Sequence, residues 1–441
     1  MTAREPTLPP THAGWASHGL LALLALVFAD NFVGRQILAV MIEPLKAEFG
    51  VGDTAIGLIS GLAFAAVYAL MGLPAGRLVD RLPRTRLLAL SCLLWALATM
   101  ACGWAGSFFA LAVARMLVAV SESPTTSASL SLIADLYPPQ RRSFAISCFT
   151  AAPTFSSIIG LSVGAWVVEH YGWRSAFIAL GVPALVFSMT LAWVREPRRG
   201  RWDLTPQTHT PPPLLGMGAE ARALWALPAY RCLVLAGGLA TLSSYAVGMW
   251  NTSFLVRSHG LSLQHAGLLA GVICGLSAGV GGLVSGGLSD RLCRRHPHWQ
   301  VSIPMLGHGA AVCALVPYLL WSDALLTRVG DVPIPAAMLW CALYAFFAVW
   351  WVAPSYNLVT QLVPPGRRGT AMALQTIVST LLGVGVGPLI TGVFSELLLP
   401  MASQESLRYA LLLVNLPVIC AVLLLMRTAT HAAKTDYRHA V

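Results

Sequence analysis

Residues 76–86 read GRLVDRLPRTR, and residues 286–296 read GGLSDRLCRRH, 210 positions further along the chain. Each copy follows a long apolar stretch. Two further pairs of related segments occur in the same order. They are GVGDTAIGLISG (50–61) with GLSLQHAGLLAG (260–271), and YPPQRRSFA (137–145) with VPPGRRGTA (363–371). Three matched segments in one order indicate a duplicated chain with two halves of similar fold.

The composition identifies the environment of these halves. The chain has 441 residues, of which 56% are hydrophobic and only 10% are charged, whereas a soluble domain carries about 25% charge. A soluble enzyme is therefore excluded.

Apolar segments of about 20 residues or more, the length that spans a membrane, occur twelve times. We expect each to form an unbroken helix, because lipid offers no partner for a free backbone N–H or C=O. The segments are 16–40, 54–77, 86–105, 108–136, 143–169, 173–194, 229–256, 264–288, 301–321, 334–362, 369–397 and 405–426.

The positions of the 28 lysines and arginines predict the orientation. Of these residues, 21 flank one side of the twelve segments, five flank the other, and Arg35 and Arg115 lie inside segments. Positive residues accumulate on the cytoplasmic side of membrane proteins. The pattern therefore predicts that both termini are cytoplasmic. The excess of arginine over lysine is typical of a GC-rich bacterial genome and favours the inner membrane.

A connector rich in charge and proline separates the two halves. We predict an all-α membrane protein with a six-helix bundle over 1–194, a cytoplasmic linker over 195–228, and a second six-helix bundle with a short cytoplasmic tail over 229–441. The two bundles are expected to be pseudo-symmetric.

Several function classes lack their motifs. The nine cysteines include no C-x-x-C pair, so no metal site is predicted. There is no G-x-x-x-x-G-K-[ST] loop and no H-E-x-x-H motif, so we expect no cofactor and no enzymatic activity. The arginines lie between apolar runs, which argues against nucleic acid. The expected partners are the lipid bilayer, protons and a small-molecule or lipid substrate, with the protein as a monomer.

Residues 76–86 match the signature loop G-x-L-x-D-R-x-x-R-x-[RK] of the major facilitator superfamily, which the chain resembles over its whole length. The first 200 residues are similar to bacterial members of the Spinster family, through RQILAVMIEPLKAEFGVGDTAIGLISGLAFAAVYALMGLPAGRLVDR and RMLVAVSESPTTSASLSLIADLYPPQRR. The resemblance implies secondary transport by alternating access. One departure is that the family's N-Y-x-D-R reads Asn31-Phe32-Val33-Gly34-Arg35 here. Asp30, one turn before Gly34, is a candidate replacement for the missing carboxylate.

Four ionisable residues lie deep inside predicted spans of the first half, namely Asp30, Arg35, Arg115 and Glu122. Such a group costs several kcal/mol unless it faces a polar cavity or a partner. Glu122 and Arg115 share one face of predicted helix 4, since seven residues make about two turns, and Asn31 and Arg35 share a face of predicted helix 1. We expect Glu122, with Asp30, to bind the coupling proton. Arg115, Arg35 and Asn31 are then expected to bind an anionic substrate group. A permanent salt bridge between the two helices that only fixes packing is the structural alternative.

The resemblance also implies a gate at the cytoplasmic side. Asp80 is expected to dock against the start of predicted helix 11, where Arg367 and helix N-terminal amides attract a carboxylate. Asp290, with Arg141 ahead of predicted helix 5, is the symmetric counterpart. Some of these arginines can instead be topology charges only. The predicted gating set comprises Gly76, Asp80, Arg81, Arg84, Asp290, Arg291, Arg141 and Arg367.

The second half carries no charged residue in mid-span, so we expect a mostly apolar cavity wall there. The predicted wall consists of Trp250, Phe254, Trp350, Trp351 and Tyr356, with Asn251 and Asn357 as polar exceptions. This asymmetry suggests an amphipathic anion or lysolipid as substrate, and Spinster relatives are associated with lysolipid and sphingolipid export. An exporter or importer of small organic acids or drugs, an uncoupled facilitator, and, more remotely, a membrane sensor remain alternatives.

Overall fold

The apolar segments form long helices, because a helix satisfies its backbone hydrogen bonds internally. The computed structural model describes residues 15–199, 217–296, 298–321, 324–363 and 367–439. We number the spanning helices α1 to α12. They are α1 Trp15–Phe49, α2 53–81, α3 Arg84–Gly103, α4 Phe108–Leu136, α5 139–171, α6 173–193, α7 Pro228–His259, α8 Leu263–Cys293, α9 Trp299–Leu320, α10 337–362, α11 368–402 and α12 406–439.

The described residues contain ten helices that are long and apolar enough to cross a membrane, and two of these are long enough to cross twice. Phe144–Trp193 has 50 residues and Thr370–Thr430 has 61, against about 20 for one crossing. The first is divided by Gly172, whose φ is 80° and ψ 161°. The second is divided by Ser403, which has a φ of 47°. These two breaks account for the twelve spans that the sequence predicts.

The expectation of unbroken helices is wrong. Wide π turns interrupt α2 at Leu58–Leu62, α8 at Ala270–Cys274 and α11 at Thr380–Val386. Breaks also occur in α4 after Glu122 and in α12 after Asn415. The breaks in α4 and α12 lie at Pro124 and Pro417, whose nitrogens carry no hydrogen to donate. The π turns of α2 and α8 occupy matching places in the two halves, as duplication predicts.

Small residues bring the two bundles into contact. A Cβ added at Gly57 or Gly61 of α2 would lie 2.6 or 2.5 Å from the backbone oxygen of Pro388 or Gly385 in α11. In the symmetric contact, a Cβ at Gly267 of α8 would lie 2.6 Å from the carbonyl oxygen of Leu161 in α5. Glycine permits this approach of backbones, which is typical of helix packing in membranes.

These contacts lie toward one end of the bundles. We call it the far side; it carries the chain around residues 50, 105, 172, 260 and 403. The opposite end, the linker side, carries residues 82, 138, 195–199, 217–228 and 296. At the linker side, a Cβ added at Gly76 or Gly286 would meet nothing within 4 Å. The halves therefore meet closely at the far side.

Two elements were not expected from the sequence. β1 (Leu325–Val329) and β2 (Val332–Pro335) form an antiparallel hairpin at the far side, between α9 and α10. Gly330 in its turn has a φ of 61°, a conformation that glycine adopts at low cost. The predicted linker contains a helix, Met217–Trp225, and its residues 200–216 lie outside the described residues.

Candidate functional site

An ion pair joins α1 to α4 halfway along both helices. Arg35 donates from Nε and Nη2 to Oε2 of Glu122, at 3.0 and 2.8 Å. The Glu122 side chain is only 1% exposed, and its second oxygen has no hydrogen-bond partner among the described residues. The structure thus brings together two of the predicted site residues and leaves one carboxylate oxygen unsatisfied.

Aromatic rings surround the Arg35 guanidinium. The rings of Phe32, Phe64 and Tyr68 have their centroids 5.1, 5.3 and 5.0 Å from its Cζ atom, within the range of cation–π attraction. Tyr245 of α7 is close enough to interact electrostatically with Arg35. Tyr245 also lies near Tyr356 of α10. The surroundings of Arg35 therefore include residues of both bundles.

Arg115 lies deeper inside the N-terminal bundle. Its Nη1 donates to the carbonyl oxygen of Gly34 at 3.3 Å, and it lies over the ring of Phe64. It is buried, and its Nε has no acceptor among the described residues. A buried guanidinium with an unused donor is costly unless another group binds there, so Arg115 can accept an anion.

Asp30 and Gly34 lie on one face of α1, directed toward α3. A Cβ added at Gly34 would lie 3.4 Å from Leu180 and 3.6 Å from Trp95. Asp30 is buried, interacts electrostatically with Cys92 and Glu122, and has one oxygen without a partner in the described structure. Asn31, the neighbouring predicted residue, is also buried. The carboxylate of Asp30 therefore lies near the Arg35–Glu122 pair, on the same helix face as the position that Gly34 occupies.

The aromatic wall predicted for the C-terminal half is not assembled in this conformation. Trp250 is fully buried and donates to the carbonyl oxygen of Pro388 at 3.1 Å. Phe254 is also fully buried, edge-to-face with Tyr318, and Trp351 packs against His308. These rings fill the interior of the bundle, a use of aromatic residues that composition cannot distinguish from a cavity lining. Trp350 and Tyr356 are half-buried, and Asn357 is exposed.

Asn251 lines a cavity of about 200 Å³ between the two bundles. The polar lining of this cavity also includes Gln36 and Ser157 from the first half and Ser244 and Tyr344 from the second. Gln36 donates to Ser157 at 3.3 Å and so links α1 to α5. Together with the charges around Arg35, this cavity forms the candidate binding region.

Arg84 ties together three elements of the N-terminal bundle at the linker side. It is 1% exposed and donates to Asp135 at the end of α4 at 2.5 Å, and to Glu196 after α6 at 2.8 Å. Glu196 also accepts from the backbone N–H of Thr85 at 2.9 Å. Burial alone would raise the pKa of Glu196, but the hydrogen bonds from Thr85 and Arg84 outweigh it and lower that pKa below its usual value. Sequence reasoning missed both carboxylates.

The other predicted gating residues lie apart in this conformation. Asp80 and Arg81 are exposed and line a linker-side cavity of about 630 Å³ with Arg86 and Arg199. Over the part of the chain that the structure covers, no ion pair joins Asp80 to Arg367. Asp290 likewise makes no ion pair with Arg141 there. Gly76, Asp290, Arg291 and Arg141 lie at the same side, where the halves are less closely packed.

A partly buried charge cluster joins the two halves at the far side, and sequence reasoning missed it. Arg257 of α7 donates to both oxygens of Asp53 in α2, at 2.8 and 2.9 Å, and to Glu43 of α1 at 2.8 Å. Ser395 of α11 donates to Asp53 at 2.7 Å, and Lys46 pairs with the same carboxylate. We call these five residues the far-side cluster. The sequence did contain one signal of this cluster. Asp53 lies in a repeated segment, and the second copy has the apolar Leu263 at the matching position, so the charge is specific to the first half.

A comparison with known families identifies the chain. The model of the Major Facilitator Superfamily matches residues 24–388. The chain belongs to this superfamily. It is therefore a multi-pass membrane protein of a transporter family, which is not an enzyme class.

The names of individual relatives of this superfamily member indicate different kinds of transporter. An MFS-type efflux pump of Mycolicibacterium smegmatis is 30% identical, with 94% of this chain and 93% of the relative covered. A probable galactarate/D-glucarate transporter of Bacillus subtilis is 27% identical over 60% of this chain and 64% of the relative. The human protein spinster homolog 1 is 26% identical over 86% of this chain and 72% of the relative. The resemblance to Spinster-type transporters is thereby confirmed.

A solved structure has the same fold. The inward-facing, unoccupied form of a bacterial homolog to the human lysosomal transporter Spinster matches with a TM-score of 0.84 and 24% identity. The match covers 96% of this chain and 99% of that one. The predicted major facilitator fold of twelve helices in two pseudo-symmetric bundles is confirmed.

Proposed function

We propose that this transporter moves an amphipathic organic anion, such as a lysolipid, by alternating access coupled to protons. The observation that carries the proposal is the set of four ionisable groups in mid-helix, of which Asp30, Arg115 and Glu122 are buried and Arg35 is partly buried. Arg35 and Glu122 pair, whereas Arg115 and Asp30 each keep a polar atom without a partner among the described residues. Charged groups held at such cost inside a membrane mark substrate or ion pathways.

The two arginines supply the anion site. Arg35 is 23% exposed and reachable, while Arg115 lies behind it with one N–H donor that no described residue accepts. The rings around Arg35 offer an apolar surface next to the cation, which suits an amphipathic molecule with a charged head. The alternative, a small organic acid, agrees with the name of the galactarate/D-glucarate relative, and it would use the same two cations.

Proton coupling follows from competition for Arg35. Ionised Glu122 accepts hydrogen bonds from the Arg35 guanidinium. When Glu122 is protonated, the guanidinium is free to bind the substrate anion. Asp30 lies close to Glu122 and forms no ion pair with any described residue. A buried carboxyl group without such a partner loses its charge by binding a proton. We assign the coupling proton to this carboxyl pair.

The conformation fits one state of an alternating-access cycle. The far-side cluster and the glycine contacts hold the far side closed in this state. In the opposite state, which is closed at the linker side, Asp80 docks against α11. We assign the linker side, with both termini, to the cytoplasm of a bacterial inner membrane, because it carries most of the basic residues. The two bundles, 1–194 and 229–441, suffice for this cycle in a monomer.

A ligand screen by thermal stability tests the anion site. The purified transporter is heated with lysophospholipids, sphingoid-base phosphates, or small organic diacids, at pH 5.5 and 7.5. A ligand at about 100 times its dissociation constant adds about 2.7 kcal/mol. We expect amphiphiles to raise the melting temperature of the parent and of Arg328→Ala, a control in the exposed hairpin, and not of Arg115→Ala. Stabilisation by diacids alone would reject the lipid assignment, and equal stabilisation of Arg115→Ala would remove Arg115 from the site.

A further inference from the structure

Two cysteines of the C-terminal bundle lie side by side at the wall of the central cavity. The Sγ atoms of Cys274 in α8 and Cys341 in α10 are 3.3 Å apart. Both are free thiols, since a disulfide would bring the sulfurs to about 2.05 Å. None of the other seven cysteines, all within the described residues, has a second sulfur in such contact.

The surroundings hold the two thiols in place. Asn251 of α7 directs its amide nitrogen toward both sulfurs, at 3.6 Å from Cys274 and 4.0 Å from Cys341. The amide oxygen of Asn251 in turn accepts from the hydroxyl of Tyr318 in α9. Four helices thus position one pair of sulfurs. Cys274 closes the π turn Ala270–Cys274, and such turns occur often at functional sites.

The pair can be reached from the cavity. Cys274 is half-buried and lines the 200 Å³ space, whereas Cys341 is fully buried behind it. We propose that Cys274 and Cys341 form a dithiol site for trivalent arsenicals, which enter through the central cavity. Cys274 reacts first, and Cys341 then closes the bridge.

The chemistry needs no oxidant. An organic arsenous acid, R–As(OH)2, forms one As–S bond with each thiol, and each step breaks one As–O bond. Each thiol proton leaves with the displaced hydroxide as water, so two waters are released and arsenic stays trivalent. Because the second sulfur is already fixed beside the first, the second step is intramolecular and strongly favoured. The product ties α8 to α10 and places the organic group in the cavity.

Phenylarsine oxide is the test reagent, on a full-length parent in which the exposed Cys148, Cys313 and Cys420 are replaced by serine. We expect one adduct per chain by intact mass. It should survive an excess of 2-mercaptoethanol and be removed by 2,3-dimercaptopropanol. Cys274→Ser and Cys341→Ser should each lose the resistant adduct, whereas Cys293→Ser, a control at the linker-side end of α8, should keep it.

Peptide mapping keeps the test independent of variant folding. In the parent, the resistant adduct should cross-link the peptide with Cys274 to the peptide with Cys341. A parent without a resistant adduct, or a cross-link to other cysteines, would overturn the proposal. The same adduct in the Cys274→Ser/Cys341→Ser double variant would also overturn it.

Discussion

At the scale of single residues, the Arg35–Glu122 pair decides between a structural and a functional interpretation. A buried ion pair is weak evidence for stability, because desolvation offsets much of the attraction between the charges. The sequence predicted that these two residues, with Arg115, lie inside spans of the first half, and a salt bridge between predicted helices 1 and 4 was one of the two interpretations. It could not predict which arginine pairs with Glu122, since the choice depends on how α1 and α4 rotate against each other.

A double-mutant cycle separates the two interpretations. Arg35→Met or Glu122→Leu alone should cost about 3–5 kcal/mol of stability, because each leaves a buried charge unpaired. The double variant should recover most of that loss while transport stays abolished, as measured by thermal unfolding and by uptake into proteoliposomes. A double variant that transports like the parent would reduce the pair to a packing contact.

Glu196 allows a test by pH at the linker side. Its pKa is lowered in the folded protein, so its contribution to stability is present above its unfolded value of about 4.3 and is lost as pH falls through the folded value. Glu196→Gln should therefore lower the melting temperature at pH 7, and the difference from the parent should shrink below about pH 4. A difference that stays constant over this range would show that ionisation of Glu196 does not stabilise the fold.

At the scale of elements, hydrophobicity predicted where helices cross the membrane but not how they deviate from regular geometry. Apolar length identified the spans, including the two pairs that Gly172 and Ser403 divide. The π turns escaped prediction, because the extra residue in each is accommodated by packing against another helix. The hairpin at 325–335 is short, and its V-G-D-V turn was the only local signal.

Glycine contacts between helices provide a prediction at this scale. Alanine at Gly57 would place its Cβ 2.6 Å from a backbone oxygen of α11, whereas at Gly72 of the same helix it would meet nothing within 4 Å. We expect Gly57→Ala to destabilise by about 1–3 kcal/mol through overpacking. Gly72→Ala should be neutral or stabilising by up to about 1 kcal/mol. Thermal unfolding of both variants checks this, and equal effects would contradict the close packing of α2 on α11.

At the scale of the whole molecule, internal duplication predicted the two bundles, but the contacts that join them came only from the structure. The far-side cluster links Asp53 to Arg257 and Ser395, residues hundreds of positions apart whose types carry no sign of their pairing. It holds one side closed while the linker-side gating residues stay apart. In the proposed alternating-access cycle this cluster has to break when the far side opens, so we expect it to influence the balance between the two states.

Weakening this cluster should shift that balance. Asp53→Asn removes the charge that Arg257 and Lys46 share, and we expect a single cysteine placed at the far-side interface to react faster with a maleimide. Glu48→Gln is the matched control, because its partners Trp173 and Arg174 belong to the same bundle. Unchanged labelling in Asp53→Asn, or the same change in Glu48→Gln, would contradict a role in closure.

Proton-driven transport of an amphipathic anion is the central claim, and uptake of a fluorescent lysophosphatidic acid into proteoliposomes tests it most directly. Uptake is measured with and without an imposed pH gradient, for the parent and for Glu122→Gln. We predict that the gradient drives accumulation in the parent and that Glu122→Gln loses this dependence. Equal uptake by the parent with and without the gradient would contradict the account. A gradient dependence that persists in Glu122→Gln would also contradict it.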